Sequence, residues 1–450
     1  MALKETLKQK IEEFRPRITK LVKETGKVII DTVTIDQAIG GARDIRSLVT
    51  DISYLDPQEG IRFRGKTIPE TFEALPKAQG SDYPTVESFW YFLLTGDVPT
   101  QAQVDEVIAE WKVRQEVPQY VFEAIRALPR DSHPMVMLSV GMLALQKDSK
   151  FAAFYNSGKF NKMTAWEAVY EDASDIVARI PIIAAFIYNL KYRNDKQIPI
   201  DPKLDMGANF AVMIGQVEQY KDVARMYFIL HSDHESGNVS AHTTHLVHSA
   251  LSDPYYSYSA GLNGLAGPLH GLANQEVLDW TIKFQEKYCK GVEPTKELVT
   301  KALWDTLNAG QVVPGYGHAV LRKTDPRYMS QREFCLKTPG LKDDPLFKLV
   351  AMIFETAPGV LMEHGKAKNP WPNVDAQSGV IQWYYGVKEW DYYTVLFGVG
   401  RALGCMANIT WDRGLGYAIE RPKSVTTAML EKWAAEGGRE IPGVGKLKPA

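Results

Sequence analysis

The loop at 314–327 combines residue types that suit chemistry on a small anion. Two glycines flank a tyrosine, His318 follows directly, and Arg322 and Arg327 come next. Glycine lets the backbone approach a ligand closely, and a histidine there can polarise a bond or move a proton near neutral pH. Arginines can hold phosphate or carboxylate through two hydrogen bonds. The pattern therefore predicts a site for a small anionic substrate and a flat, phosphorylated carrier.

A second glycine-rich segment, 261–271, places His270 just before a predicted helix at 272–287. The N-terminus of a helix has free N–H groups and a positive potential. That potential lowers the pKa of a histidine and favours the neutral imidazole, which can donate one hydrogen bond to a developing oxyanion. The alternative is that the glycines only allow close helix packing and that His270 is a cap.

Asp375 ends a loop, 366–375, that two prolines and a tryptophan stiffen. A carboxylate held there among small and apolar residues can act as a general base. Aspartate is also a favoured residue at a helix N-cap. Taken alone, the segment favours the cap.

Five arginines are candidate anion ligands. Taken singly, an arginine is more often a surface charge or part of an ion pair. One of them lies inside the apolar run 395–407, and a buried arginine requires a carboxylate or a ligand as its partner. The five are Arg43, Arg322, Arg327, Arg401 and Arg421.

Histidines are concentrated between residues 231 and 248, which raises the question of a metal site. The last three are each three residues apart, so they advance about 300° per step around a helix and diverge. No HExxH pattern is present. A packed helix with one or two pocket-lining histidines is therefore favoured, and no metal is predicted, although a histidine-rich metallohydrolase stays an alternative. The five are His231, His234, His242, His245 and His248.

The composition is that of a globular protein with ample apolar material for a core. The chain has 450 residues, of which 45% are hydrophobic and 24% charged, which predicts two or three domains or one large domain with an insertion. Its net charge of −2 favours neither nucleic acid nor a membrane surface as a partner. Three dispersed cysteines fit a reducing compartment. No apolar run reaches the roughly 18–20 residues of a membrane span; the best candidate, 180–187, is predicted to be a buried helix.

Helical periodicity dominates the chain and predicts a mainly α fold. The segment 134–146 is apolar on nearly all sides and is predicted to be buried all round. The segment 28–35 is the one convincing strand candidate. The residues suited to chemistry fall on turn-rich breaks between helices, where function is common. Helices are predicted at 3–23, 134–146, 172–191, 209–231, 272–287 and 392–412.

Together, these segments resemble the citrate synthases of the eukaryotic mitochondrial type. The resemblance extends from about residue 28 to residue 424 and rests on several motifs in the same order. The motifs that carry it are 267–276 around His270, 314–318 ending in His318, and 372–375 ending in Asp375, with support from 55–65 and 420–424.

The resemblance implies an all-α homodimer with a large domain at 1–272 and 387–450, a smaller inserted helical domain at 273–386, and a site in the cleft between them. The implied reaction condenses acetyl-CoA with oxaloacetate and hydrolyses the thioester to citrate and CoA. Acetyl-CoA is then a co-substrate, with no permanently bound cofactor and no metal. The nearest alternative is 2-methylcitrate synthase acting on propionyl-CoA; a non-catalytic helical scaffold is a third.

The resemblance also implies a role for each residue. Asp375 would remove a proton from the acetyl methyl group, His270 would donate a hydrogen bond to the thioester oxygen, and His318 would polarise the ketone of oxaloacetate. The oxaloacetate carboxylates would be held by His234, Arg327, Arg401 and Arg421, the last supplied by the other subunit. The implied CoA positions are Arg43, Val313, Gly315, Gly317, Arg322 and Asn373.

The implied compartment is the mitochondrial matrix. Residues 1–27 are rich in both lysine and glutamate, unlike a transit or signal peptide, so a mature form without its transit peptide is expected. The chain departs from the family pattern at a few positions. Gln377 replaces a histidine two residues beyond Asp375, where it can reshape the acyl pocket. The others are Ser236, His248 and Asn161-Lys162, the last standing where the family has an arginine for a CoA phosphate.

Overall fold

The computed structural model describes residues 2–367, 369–440 and 445. In these residues the chain is almost entirely helical, which confirms the predicted fold class. The helices are α1 (Ala2–Thr25), α2 (Ile35–Ile39), α3 (Ile68–Ala74), α4 (Val86–Thr95), α5 (Gln101–Arg114), α6 (Gln119–Arg126), α7 (Pro134–Ala144), α8 (Lys150–Asn156), α9 (Ala165–Tyr192), α10 (Met206–Met213), α11 (Tyr220–Leu230), α12 (Val239–Ser249), α13 (Pro254–Leu265), α14 (Ala273–Phe284), α15 (Lys296–Asn308), α16 (Pro326–Lys337), α17 (Pro345–His364), α18 (Asp375–Tyr384), α19 (Tyr393–Leu415) and α20 (Thr427–Ala435).

One antiparallel hairpin and three short helical turns complete the described elements. Strand β1 (Ser53–Asp56) pairs with β2 (Gly60–Phe63), with Ser53 opposite Phe63. Two turns are 3₁₀ helices, Leu145–Asp148 and Trp390–Tyr392, and Gln285–Cys289 is a π-helical turn. The sheet is thus a small local feature within a helical protein.

The predicted strand at 28–35 is wrong. The segment forms no strand; α2 begins at its last residue, and Val28, Ile30 and Val33 are 65%, 71% and 60% exposed. Alternating β-branched residues form a strand only against a partner, and none pairs with this segment in the described chain. Its apolar side chains face outward instead.

Two other predicted helices need correction. The segment predicted as one helix at 209–231 is two, α10 and α11, separated by a turn at Gly215 whose φ is +74°. The helix α7 is not buried all round, because Val136 and Leu143 are 47% and 42% exposed. An apolar residue can be exposed in the single chain because a partner surface covers it in the assembly. The apolar pattern predicts burial but does not identify the surface that buries the residue.

Long helices at the centre of the protein set the frame for the site. α19 is buried along nearly its whole length and packs against α9, α11 and α12. The segment 180–187 lies within α9 and is buried there, as predicted, except for the half-buried Ile182. By length and composition α9 and α17 could each cross a membrane, yet their most apolar windows are 89% and 56% buried inside the protein. This burial is typical of core helices.

A second, smaller apolar cluster lies apart from the main core. Its members come from the end of α14 and the π-helical turn that follows it, from α15, from α17 and from the loop before residue 314, so all fall within the predicted small domain at 273–386. Other residues of that range, such as Leu278 and Val380, belong to the main cluster. The small cluster consists of Phe284, Cys289, Val299, Ala302, Leu303, Leu307, Val313, Leu349, Ile353, Ala357, Val360 and Leu361.

Candidate active site

Two loops far apart in sequence are joined by main-chain hydrogen bonds. We call residues 314–325 the histidine loop, since it carries His318, and residues 369–375 the acid loop, since it ends at Asp375. Because most of the bonds use the backbone, they hold the two loops in a fixed register. The bonds are Gly317 N–H to Trp371 O at 3.0 Å, Asn373 N–H to Gly315 O at 2.9 Å, Asp325 N–H to Pro372 O at 3.1 Å, Asn373 Nδ2–H to Gly317 O at 3.0 Å and Asn369 Nδ2–H to Leu321 O at 2.7 Å.

Gly315 allows the histidine loop to lie against the start of α18. Its φ is +78°, and a Cβ at this position would lie 2.8 Å from the Cα of Ala376. Neither the backbone conformation nor the space suits a larger residue. The glycine therefore sets the distance between the loop and the helix that begins with Asp375.

His318 is a neutral hydrogen-bond donor through its outer nitrogen. Its Nδ1 accepts from the N–H groups of Val320 and Leu321, both at 3.0 Å. A nitrogen that accepts carries no proton, so the proton of the neutral ring is on Nε2. Burial and then the charge of Arg327 lower the pKa of His318 to about 4. The ring can thus offer Nε2–H to a carbonyl oxygen at neutral pH.

His270 has the opposite tautomer. The N–H of Ser240 points to His270 Nε2 at 3.3 Å, and Ser240 Oγ lies 2.9 Å from the same nitrogen. Since Nε2 accepts from the main chain, the ring proton is on Nδ1. Burial, followed by the charges of Arg401 and Arg327, lowers the pKa of His270 to about 3. The helix α14 begins only at Ala273, so burial and cations, not a helix end, keep the ring neutral.

Asp375 is the first residue of α18 and does not cap it. The cap position is Val374, and no side-chain capping hydrogen bond is made there. The alternative reading of Asp375 as an N-cap is therefore wrong. Its backbone N–H donates to Asn373 Oδ1 at 3.0 Å. Burial raises the pKa of Asp375 to about 6, with the charge of Arg327 acting in the opposite direction. Such a carboxylate is a stronger base than usual and is still ionised at neutral pH.

Arg401 is a buried cation without a carboxylate partner. It is 1% exposed, on α19, and its hydrogen bonds go to neutral oxygens. No ion pair of Arg401 occurs in the described part of the chain. The buried Asp233 acts on Arg401 through space but forms no ion pair or hydrogen bond with it. Since a buried charge is best stabilised by an opposite charge in direct contact, the surroundings of Arg401 favour an anionic ligand. Its three acceptors are His231 O at 3.1 Å, Asn238 Oδ1 at 2.7 Å and Ser240 Oγ at 3.0 Å.

His234 and Arg327 complete the cluster. The ring of His234 lies 5.3 Å from that of His318, and its buried Nε2 has no hydrogen-bond partner. Burial, then the charge of Arg327, holds the pKa of His234 below its usual value. Arg327 is 4% exposed and pairs with the buried Asp325, with Nη2 2.7 Å from Oδ2. This pair fixes the guanidinium at the start of α16.

The structure does not bring every predicted ligand into this cluster. Arg43 and Arg421 are exposed, and within residues 2–367 and 369–440 neither side chain bonds to another candidate. Arg322 is exposed and folds onto its own loop, with Nη1 donating to three carbonyls, the shortest at 2.7 Å. Val313 is buried in the small cluster. The amide of Asn373 is engaged at both ends by the two loops.

Other singled-out residues have structural partners. His242 and His245 face carboxylates, and the described residues contain no group of three or more His, Cys, Asp or Glu arranged to hold a metal ion. His248 is buried, with Nδ1 2.9 Å from Ser252 O. Gln377 is buried, and its Nε2 donates to Cys335 Sγ at 3.1 Å. That contact joins α18 to α16.

Sequence reasoning missed three supporting residues. Ser240 contacts both His270 and Arg401, Asn238 caps α12 and accepts from Arg401, and Asp325 pairs with Arg327. Asp325 precedes a proline, and Asn238 lies before a helical run, so both match N-cap patterns. Those patterns predict a helix start and say nothing of the second partner. No local signal marks Ser240.

The cluster joins a raised-pKa carboxylate, two neutral histidines and an unpaired buried cation. Such a site suits an enzyme that removes a proton from carbon beside an anionic substrate. The family model of the citrate synthase C-terminal domain matches residues 41–423. The chain therefore belongs to the citrate synthase family and is an enzyme of that family.

Curated relatives and solved structures agree with this assignment. The chain is 52% identical to the mitochondrial citrate synthase of Saccharomyces cerevisiae, over 95% of this chain and 89% of the relative. It is 53% identical to citrate synthase 4, mitochondrial, of Arabidopsis thaliana, over 95% and 90%. The crystal structure of the Pyrobaculum aerophilum citrate synthase is 26% identical, with a TM-score of 0.74 over 86% of this chain and 92% of that one. A Thermoplasma acidophilum citrate synthase, solved as a ternary complex with carboxymethyl coenzyme A and oxaloacetate, is 22% identical over 88% and 97%, with a TM-score of 0.71, and supports the fold.

Proposed function

We propose that this chain condenses acetyl-CoA with oxaloacetate to give citrate and CoA, using Asp375, His270 and His318. The observation that carries this proposal is the pair of tautomers. His270 offers Nδ1–H and His318 offers Nε2–H, both from rings kept neutral by burial. The raised pKa of Asp375 supplies a base in the same cluster.

The three roles follow from what each group can donate or accept. Asp375 takes a proton from the acetyl methyl group, and His270 donates a hydrogen bond to the enolate oxygen that develops. The methylene carbon of the enolate then bonds to the ketone carbon of oxaloacetate, while the ketone oxygen accepts a hydrogen bond from His318 Nε2–H. In the last step, water cleaves the thioester and CoA leaves as the thiol. A general base supplies about 10²–10⁴-fold, and an oriented donor in a dry site about 3–4 kcal/mol. The proton transfer therefore depends on both kinds of group.

Oxaloacetate is held where Arg401 lies without a carboxylate partner. A dicarboxylate would neutralise this cation and meet Arg327 and the unpartnered Nε2 of His234. CoA would bind on the histidine loop, with Arg322 exposed to a phosphate and the backbone near Gly315 and Gly317 against the adenine. Arg43 would meet a further phosphate. Acetyl-CoA acts as a co-substrate, and no cofactor is bound permanently.

The working unit is a homodimer, in which Arg421 reaches the oxaloacetate site of the other subunit. Apolar surface that the single chain leaves uncovered supports this. Ile30 and Ile39 are 71% and 73% exposed, and α20 has no buried residue. Exposed apolar area of this kind marks an interface. Arg43 and Arg421, which are both exposed, lie near these uncovered segments.

The proposed compartment is based on the relatives, and the proposed domain organisation is supported by the apolar clusters. The curated relatives are mitochondrial, and the mitochondrial matrix is the proposed location of this protein. The proposed domains are a large one at 1–272 and 387–450 and a small one at 273–386. The separate apolar cluster within 284–361 supports a small unit there.

The test is an assay of the purified protein. CoA thiol released from acetyl-CoA in the presence of oxaloacetate would be measured for the wild type and for His318→Gln and Asp375→Asn. Both variants should lose at least 10²-fold in kcat, while His364→Gln, at the end of α17, should not change it. Unchanged turnover in Asp375→Asn would favour a non-catalytic scaffold.

The same assay separates the two acyl substrates. We expect kcat/KM to be higher for acetyl-CoA than for propionyl-CoA, although one methylene is worth only about 1–3 kcal/mol. A preference for propionyl-CoA would instead indicate a 2-methylcitrate synthase.

A further inference from the structure

α12 carries three histidines beyond the catalytic cluster, and two of them contact Glu420. His242 Nε2 lies 2.8 Å from Glu420 Oε1, and His245 Nε2 lies 3.5 Å from Glu420 Oε2. The backbone N–H of Glu420 also donates to Ser249 Oγ at 3.0 Å. Successive turns of one helix therefore hold a single residue of the segment that follows α19.

His245 lies between two carboxylates and is hydrogen-bonded to one of them. Its Nδ1 lies 2.6 Å from Asp412 Oδ2, near the end of α19, while its Nε2 faces Glu420. A neutral imidazole has one N–H and satisfies one of the two; the protonated ring satisfies both. The hydrogen bond to Asp412 raises the pKa of His245, and Glu420 adds to this effect. Arg413, also on α19, opposes it, and His248 on α12 faces the same region with its own pKa lowered by burial and by Arg413.

The residue after Glu420 is Arg421. Its side chain is exposed and makes no hydrogen bond or ion pair in the described parts of the chain. At its other end, α12 begins at the oxaloacetate pocket, where the capping Asn238 accepts from Arg401. One helix thus contacts the pocket of its own subunit and fixes the neighbour of the arginine proposed for the other.

We propose that His242 and His245 are positioning residues that, through Glu420, orient Arg421 toward the oxaloacetate site of the partner subunit. This inference rests on the role proposed above for Arg421. It adds a mechanical link between the two sites of the dimer. It also adds a pH response: when the ring of His245 loses its second proton, the contact between Nε2 and Glu420 Oε2 weakens, Glu420 is held by His242 and Ser249 alone, and KM for oxaloacetate increases.

The test is steady-state kinetics on the intact dimer. Arg421→Gln should raise KM for oxaloacetate about 30-fold, as expected for a charged partner of a bound carboxylate. Glu420→Gln should raise the same KM about fivefold, the range of an indirect contact, with kcat and KM for acetyl-CoA within about twofold. In the double variant the second change should add nothing. Glu363→Gln, an exposed carboxylate on α17, is the matched control and should behave as the wild type.

Each result decides one point. If Arg421→Gln raises KM and Glu420→Gln does not, or if the two effects add, the link through Glu420 is overturned and the role of Arg421 stands. If Arg421→Gln itself leaves KM unchanged, that proposed role is overturned and the link with it. Should Glu420→Gln fold poorly, His242→Gln keeps a donor near Glu420 and His245→Gln removes the doubly protonated bridge. Only His245→Gln should raise KM for oxaloacetate and weaken the dependence of this KM on pH. Equal effects of His242→Gln and His245→Gln on KM would overturn the proposal.

Discussion

Replacing Asp375 with asparagine should remove activity and stabilise the fold. Burial raises the pKa of this carboxyl from 3.8 to about 6. Between those two values the unfolded chain is ionised while the folded chain keeps its proton, so the free energy of unfolding falls as pH rises through that interval. Above about pH 6, Asp375 is ionised in the folded enzyme, and the burial of its charge lowers the free energy of unfolding. Asparagine has nearly the same shape and no charge.

The expected gain follows from that shift. A shift of about 2 pKa units corresponds to about 3 kcal/mol at about 1.4 kcal/mol per unit, and solvent near a half-buried group reduces it to about 2 kcal/mol. The measurement is denaturant unfolding of the wild type and Asp375→Asn at several pH values. We expect no difference near pH 4, an increase toward pH 6, and a constant advantage of the variant above about pH 7. The same samples should show a kcat at least 10²-fold below that of the wild type.

Two results would refute the reasoning. A variant that is less stable than the wild type at pH 8 would mean that the carboxylate is held by favourable contacts in the folded state. A stability difference that does not change with pH would mean that the effect lies in packing and not in the buried charge. Either outcome would also remove the reason for the raised pKa, and with it the account of Asp375 as an unusually strong base.

Three further predictions concern other parts of the site. Ser240→Ala should raise KM for oxaloacetate about tenfold, through the lost contact to the buried arginine, and lower kcat less, because the backbone N–H still fixes the His270 tautomer; equal loss in both would contradict this. Gly315→Ala should lower the free energy of unfolding by about 2–4 kcal/mol, whereas Gly310→Ala, with a similar positive φ but open space around it, should lose only about 1–2 kcal/mol in thermal unfolding. Arg322→Gln should raise KM for acetyl-CoA about fivefold and weaken its salt dependence, as a lost exposed phosphate contact would; an unchanged salt dependence would count against that contact.

The sequence predicts the helices better than the long-range hydrogen bonds of the site residues. Apolar periodicity predicts the helices α9 and α19. The tautomer of His318 depends on N–H groups only two and three residues away, so the local sequence largely determines it. The tautomer of His270 depends on Ser240, which lies 30 residues earlier. No periodicity or spacing shows such a contact. Residue types alone therefore suggest a histidine near an anion, while the fold decides which nitrogen donates.

Two of the wrong predictions have a shared cause. The segment 28–35 and the helix α7 both carry apolar residues that the single chain does not bury. Apolar periodicity reports that a side chain prefers a covered position, without telling whether its own chain or another covers it. The apolar pattern at 28–35 thus reflects a true preference for a covered position, but no strand of the described chain provides the cover. For Asp375, the cap pattern correctly predicts that a helix starts there. It wrongly predicts that the side chain caps that helix.

The main-chain bonds between the histidine loop and the acid loop bear on how the enzyme can change by mutation. Since these bonds use backbone groups, most side chains of the two loops can be exchanged without separating His318 from Asp375. The chain between them, through α16 and α17, leaves one loop and returns to the other, so a longer turn at 338–344 would not alter their distance. A single residue inserted at 314–318 would shift the pairing. In this part of the molecule, insertions and deletions therefore disturb the relative position of His318 and Asp375 more than most substitutions do.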